Sequence, residues 1–435
     1  MLIGRPGMVW ILPFLVFFLG ITSVSVLAAD APVAPAAAAA AYEVWVIDQS
    51  DSSKDGGGTL YIYDGESLAK DAKSAKAETV DLGDKIAEAC KEVGGYPKRP
   101  HMIFFTKDGK YGILSYVASG HVVFLDAAAR TPIGCVSLGK NAHATFPAVN
   151  MKLAIGANIA EKKLVRIETD YANKKFTVNP STDVVALATL ETGGGLPDMA
   201  PICPIVENKN QYALVTPRGG GLAIFDITTT PMTNTGLLPK DSVHSAGCGG
   251  VQIGSTMYLN SGGGWPATPL NHDVYAFGLG SLPEGSVPER IGGREGGDSH
   301  GMVAVGGRYL WSGDRHLNLI DAYDTSNGNI KVGTIMLVGD VSSDPAPDLM
   351  DTAPDGSFVF AALRGPSPLT GNNKDVNNAV GSTPGVGVIK VESGGRGGKL
   401  IGIAAISKKV QEKDKEGKDV TVEKADPHGI QARKK

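Results

Sequence analysis

Seven residues able to bind a metal recur along the chain at a regular spacing: His101, His143, Asp198, His244, His300, Asp348 and His428. Five of the intervals between them run from 42 to 56 residues and the last is 80. Five of the eight histidines fall in this set, which a random scatter would rarely produce. Imidazole nitrogens and carboxylate oxygens converging on one point form a ligand set for a transition metal, and a His-rich set suits copper, zinc, iron or nickel. Several charged imidazoles at close range would be costly, so a metal ion or the two aspartates must keep such a ring neutral. The alternative is a wet channel in which these groups only bond to neighbouring strands and water.

The elements that must position them are strands. A hydrophobic segment such as Leu60-Tyr-Ile-Tyr-Asp64 recurs at 122–126, 164–168, 222–226, 274–277, 317–321 and 386–390, most copies ending in an acidic residue. Each reads as the third strand of a four-stranded unit that one of the seven polar residues opens. Lys107-Asp-Gly-Lys110 is a hairpin signal between the first two strands of the clearest unit, 101–130. A period near 45 residues with β-rich repeats predicts an all-β fold, a seven-bladed β-propeller. The first strand of every blade lines the central channel, so the seven openers would converge on the axis. Residues 42–48, 59–64 and 80–82 supply outer strands without an inner one, and 426–430 an inner strand without outer ones. The N- and C-terminal strands are therefore expected to share one blade and close the ring, leaving no free sheet edge.

Composition agrees. Gly 57 and Pro 26 with 42% hydrophobic residues suit many tight turns around a large core, whereas collagen-like and disordered chains are excluded. A formal charge of −4 gives no basic face for nucleic acid. Arg5 and the apolar run from Val9 to Leu27 read as an export signal over 1–28, with an uncleaved anchor as the alternative. An Ala/Pro linker follows at 29–41, then a single propeller domain over 42–435. The expected location is periplasmic or secreted, with no membrane span once the signal is removed. Cys203 and Cys248 fall low on adjacent inner strands and are expected to pair, leaving Cys90 with Cys135; the rival is one inner thiolate as a deeper metal ligand.

Three further features accompany the repeat. Residues 84–93 read as a short surface helix and 408–424 as a solvated hairpin or loop, while the Pro/Gly/Asn-rich insert 365–384 lacks apolar residues and is expected to move. Arg218, Arg315 and Arg364 each end a second strand, so three guanidiniums around one mouth would bind a small anion, unless loop carboxylates take them. His121, His316 and His272 are expected on the same face, as exposed loop residues or as support for the ring. The glycine runs 193–195, 219–221 and 262–264 never open a helix, which excludes phosphate-loop and dinucleotide readings. No residue is singled out as catalytic.

The repeats, such as Pro100-His-Met-Ile-Phe-Phe-Thr-Lys-Asp-Gly-Lys-Tyr111 followed by Gly120-His-Val-Val-Phe-Leu-Asp126, resemble bacterial YVTN-type seven-bladed propellers over the whole mature chain. The axial ring is similar to the copper centre in the propeller of nitrous oxide reductase and its relative thiocyanate dehydrogenase. That resemblance implies copper held by His101, His143, His244, His300 and His428, with Asp198 or Asp348 as an oxygen ligand. It implies a copper-dependent periplasmic oxidoreductase acting on a small molecule. The sequence carries no cupredoxin-like domain with a Cys-rich copper site, so the expectation is a smaller or different metal centre, with electrons leaving through a separate periplasmic electron-transfer protein. A non-catalytic binding or scaffold propeller is the alternative, and a lactonase-like hydrolase a further one.

Overall fold

The computed structural model describes residues 41–50, 57–191, 196–245, 247–262, 270–282 and 287–435. The expected export signal, most of the linker, and glycines 193–195, 263 and 264 lie outside the described residues.

Blade 1 shows why the marker strands are unbroken apolar runs. Its strands Pro100–Phe105, Tyr111–Tyr116, His121–Asp126 and Thr131–Ser137 form one antiparallel sheet. In the third strand Val123 and Leu125 pack with Trp45 and Ile47 of the closing blade. Val122 and Phe124 point the other way, against Ala154 and Val165 of blade 2. Both faces are covered, so alternation with polar residues would place polar groups in a core. Each such fully buried side chain contributes about 1.5–3 kcal/mol. Asp126 at the strand end accepts from the amides of Ala128 and Ala129 at 3.0 and 2.9 Å, and Asp226 does the same for Thr228 at 2.8 Å. The recurring terminal aspartate thus shapes a turn. Between the first two strands Gly109 takes φ +70° and donates to Thr106, making the hairpin that Asp-Gly predicts.

Blades 2 to 6 repeat the plan with inner strands Ala144–Pro147, Pro201–Val206, Gly250–Ile253, Ser299–Val305 and Pro347–Thr352. The marker expected at 317–321 is displaced: the third strand of blade 5 is Leu319–Asp324, and Asp324 is the turn former, accepting from Ser326. Leu317-Asn-Leu-Ile-Asp321 imitates the pattern, but Asp321 is buried and holds Thr334, Arg294 and Lys331.

Blade 7 closes the ring as expected. Pro427–Lys434 is its inner strand, followed by Tyr42–Asp48, Thr59–Asp64 and Glu78–Asp81. Val44 pairs with Ala432 and Trp45 with Gln431, and buried Glu43 pins Arg433 at 2.8 Å. The short helix Gly83–Ala89 buries Ile86 against blades 7 and 1, and the Cys90–Cys135 disulfide ties its end to the outer strand of blade 1. The charged stretch forms a hairpin of Lys409–Lys413 and Asp419–Glu423. Among the described residues no helix is long and apolar enough to cross a membrane.

Insert 365–384 corrects an expectation. Its scarcity of apolar residues pointed to motion, yet it is held by backbone hydrogen bonds: the Leu369 amide donates to Asp426, the Thr370 carbonyl accepts from Arg364, and the Gly371 carbonyl accepts from Arg315. Buried Asn378 donates to Asp298. Polar anchoring to buried charges replaces the missing hydrophobic contacts.

Candidate metal centre

In blades 1, 5, 6 and 7 the opener is the second residue of the inner strand: His101, His300, Asp348 and His428. The pairing to the next strand shifts at that point, between Pro100 and Met102, Ser299 and Met302, and Pro347 and Met350, and opposite the Val46–Asp48 step for His428. A bulge there leaves one residue out of the ladder and re-aims its side chain, here toward the axis. Inner strands crowd together at this depth. A Cβ on Gly301 would lie 2.4 Å from the Asp348 carbonyl, and one on Gly429 2.9 Å from the His101 carbonyl, so glycine must follow both histidines.

Five of the seven expected ligands come together. His101 Nε2 lies 3.0 Å from His143 Nε2, and the His101 and His428 rings are 3.8 Å apart. His300 Nε2 is 3.0 Å from Asp348 Oδ1 and His428 Nε2 is 3.5 Å from Asp348 Oδ2. All but His143 are buried, with Asp348 fully enclosed.

Hydrogen bonds on the far side of three rings set their protonation. His101 Nδ1 donates to Gln49 Oε1 at 2.8 Å, His143 Nδ1 to the Ile202 carbonyl at 2.8 Å, and His428 Nδ1 to the His101 carbonyl at 2.9 Å. Gln49 presents its oxygen to His101 because its amide nitrogen donates to Asp426. With Nδ1 protonated, each neutral imidazole keeps an unprotonated Nε2, and these three nitrogens face the axis. Burial, reinforced by the neighbouring histidines, holds His101 well below the usual imidazole range; burial pushes His143 down to about 4, and burial holds His428 well below as well. Burial alone would raise Asp348, but His428, His300, Arg364 and Arg315 hold it well below the usual carboxylate range. His300 Nε2 is buried and off the line of any hydrogen bond. Two imidazole nitrogens 3.0 Å apart and two more beside a shared carboxylate make a donor set that fits a transition-metal cation.

Asp198 and His244 do not join this cluster. Asp198 binds Arg218 at 2.6 Å and Lys162 at 3.2 Å; His244 Nδ1 binds Asp273 Oδ2 at 2.6 Å, with 44% of its side chain exposed. Blades 3 and 4 begin their inner strands only at Pro201 and Gly250, so both residues sit on the approach to the strand. The mouth guanidiniums are also taken. Arg315 binds Asp298 at 2.5 Å and Asp348 at 3.1 Å, and Arg364 bridges Asp348 and Asp426, both buried. Asp348 lies on an inner strand, whereas Asp298 and Asp426, like the Asp198 that takes Arg218, lie in the loops leading into inner strands, so loop carboxylates do take the guanidiniums in part. His121 is buried between Ser119 and the Gly94 carbonyl, and His272 is enclosed by Asp314 and Asp321, so neither is an exposed loop residue. Half-buried His316 lies in the turn after Tyr309–Asp314.

A cavity of about 470 Å³ opens over the centre. His143 and His300 reach it from below, Leu369 to Asn372 of the insert form one wall, and Arg99, Arg218, Arg315 and Lys374 line it, with no carboxylate among the described residues. A second cavity of about 260 Å³ continues the channel beneath, among Met102, Phe104, Phe146, Leu349 and Cys248. Sequence reading missed Gln49, Asp298 and Asp426. The last two directly precede inner strands in blades 5 and 7, a positional signal; Gln49 carries none, because it follows the second strand of a blade closed from the other end of the chain.

The chain matches no protein-family model, and no curated protein matches it in sequence, so membership of the YVTN family is not shown. Solved structures are similar in fold. The periplasmic gluconolactonase of Pseudomonas aeruginosa is 11% identical with a TM-score of 0.53, covering 90% of this chain and 99% of that one. A protein from Lactobacillus plantarum is 10% identical with a TM-score of 0.56, covering 90% and 99%. The β-propeller domain of Cps50 (Swd1) from Myceliophteria thermophila is 11% identical with a TM-score of 0.50, covering 75% and 94%. At such identities the likeness establishes the architecture alone: this chain is a seven-bladed β-propeller with its first and last strands in one blade.

Proposed function

We propose that the protein is an exported metalloprotein whose axial residues His101, His143, His300, His428 and Asp348 hold copper, and that it is an oxidoreductase for a small molecule. The observation that carries this reading is the pair of Nε2 atoms of His101 and His143 facing each other at 3.0 Å, each ring held by a bond from Nδ1 to an oxygen, which leaves Nε2 bare in the neutral imidazole. Two lone pairs at that distance repel unless the rings share a proton or both turn to a metal ion beside them, about 2 Å from each. Neutral imidazoles with a single carboxylate favour copper over the oxygen-loving ions, and copper binds most tightly among the divalent first-row metals. Bound there, it would supply one-electron redox chemistry at the floor of the cavity. Of the four cationic side chains in the lining, Arg218 and Arg315 are already paired with carboxylates, which leaves Arg99 and Lys374 to favour a small anion; a separate electron-transfer protein would take the electrons.

The test is elemental analysis of protein purified from the periplasm after expression with its leader. Copper at a fixed ratio is expected, lost in His143→Ala and His428→Ala and kept in His244→Ala. Full metal content in the first two variants, or zinc alone in the wild type, overturns the assignment. A mature amino terminus near residue 29 is the expected sign of export.

A lactone hydrolase is a second reading, favoured by the fold shared with a periplasmic gluconolactonase. Such a site needs carboxylates free to hold a hard divalent ion. Here the axial group offers four imidazoles and one carboxylate, a softer set than such an ion takes, which weighs against it. Chelator-sensitive lactone hydrolysis abolished by Asp348→Asn would reverse the ranking.

A further inference from the structure

A second group of metal-binding side chains lies against the first. Cys203 is on the inner strand of blade 3, Cys248 stands two residues before that of blade 4, and a disulfide joins them. Both are buried, at 0% and 3% exposure. A ring nitrogen of His143 and the two sulfurs all lie within 4.8 Å of one another. The imidazole is steered there by its bond to the carbonyl of Ile202, the residue before Cys203. The other disulfide, Cys90–Cys135, fastens a helix to an outer strand, and no group of three metal-binding side chains includes it among the described residues. Cys248 lines the second cavity and His143 the first.

We propose that Cys203 and Cys248 form a redox-opened metal site, in which their thiolates and His143 hold a thiophilic transition-metal ion beside the axial centre. Opening requires a dithiol reductant. It supplies two electrons and two protons, its own sulfurs becoming a disulfide, while the Cys203–Cys248 bond breaks to give two thiols. Each thiol then releases its proton on binding the metal. Two thiolates and an imidazole are a soft set that selects monovalent copper, zinc or cobalt. His143 Nδ1 donates to Ile202 and its Nε2 faces His101, so drawing the imidazole to the sulfurs changes one of these two contacts. The two sites therefore share one ligand, and the redox state of the sulfurs decides how His143 is used.

The full chain tests this with cobalt(II) as the probe. Oxidised protein and protein treated anaerobically with a dithiol are loaded, dialysed, and measured for thiols, cobalt content and near-ultraviolet absorption. Reduction should add about one equivalent of cobalt with a thiolate-to-cobalt charge-transfer band. Both should vanish in Cys203→Ser/Cys248→Ser and persist in Cys90→Ser/Cys135→Ser. If the first variant does not fold, the second alone must show the gain. His428→Ala should keep the increment while losing axial metal, so failure of the axial site appears in the oxidised protein and failure of the thiolate site appears only on reduction. Two titratable thiols without added cobalt, or a bond that the dithiol cannot open in the folded protein, overturns the proposal.

Discussion

Gln49→Leu tests whether hydrogen bonding behind the imidazoles creates the metal centre. Gln49 accepts from His101 Nδ1 at 2.8 Å and donates to Asp426 at 3.0 Å. In the leucine variant His101, at 2% exposure, loses its only acceptor on that side. Leaving such a buried donor unmet costs about 1–3 kcal/mol. The ring can avoid that cost by moving its proton to Nε2, where His143 Nε2 at 3.0 Å accepts it. That tautomer satisfies the metal-free protein and removes one ligand. Metal affinity should fall about 10- to 100-fold, equivalent to about 1.4–2.7 kcal/mol. The metal-free protein should lose no more than about 3 kcal/mol. The assay is competition for copper with a chromophoric chelator, beside melting curves with and without metal, where bound metal raises stability in proportion to its affinity. An unchanged affinity in a variant that melts earlier would refute the tautomer argument, since the residue would then serve packing alone.

Deleting 425–435 removes the inner strand of the closing blade and exposes the edge of Tyr42–Asp48; the expected product is insoluble or rapidly cleaved by protease, and wild-type melting would contradict ring closure. Arg364→Met should destabilise the protein by about 3–5 kcal/mol in denaturant unfolding, because Asp348 and Asp426 lose the buried cation between them; a change below about 1 kcal/mol would show that the network relaxes. Burial pushes Asp351, on the inner strand of blade 6, up to about 6. Its folded value lies above its unfolded one, so the ionised carboxylate weakens the fold above about pH 6, and stability recovers as pH falls toward 4. Asp351→Asn should flatten that pH dependence and stabilise the protein at pH 8 by on the order of 2 kcal/mol; identical pH profiles for the two proteins would assign the dependence elsewhere.

How far the site could be read from the residues depended on how each opener enters its strand. Pro100-His101, Ser299-His300, Pro347-Asp348 and Pro427-His428 stand at the second position of an inner strand, and spacing alone located them. Pro197-Asp198 offers the same local pattern, yet its strand starts at Pro201. The chain path between blades absorbed the difference, and no local preference reports that path. The same limit applies to Leu317-Asn-Leu-Ile-Asp321, which copies the marker three residues early.

The sequence by itself determined the toroid. Apolar runs buried on both faces, Asp-led turns and a repeat near 45 residues are local or periodic properties, each written where it acts. The split closing blade was equally legible, because strands left without partners at the two ends must find each other. Only the tertiary structure decided which openers meet, which guanidiniums are neutralised, and which imidazole nitrogens stay bare. Those outcomes rest on partners far apart in the chain, Gln49 with Asp426 and Arg315 with Gly371. The site is made by convergence on an axis that no segment contains.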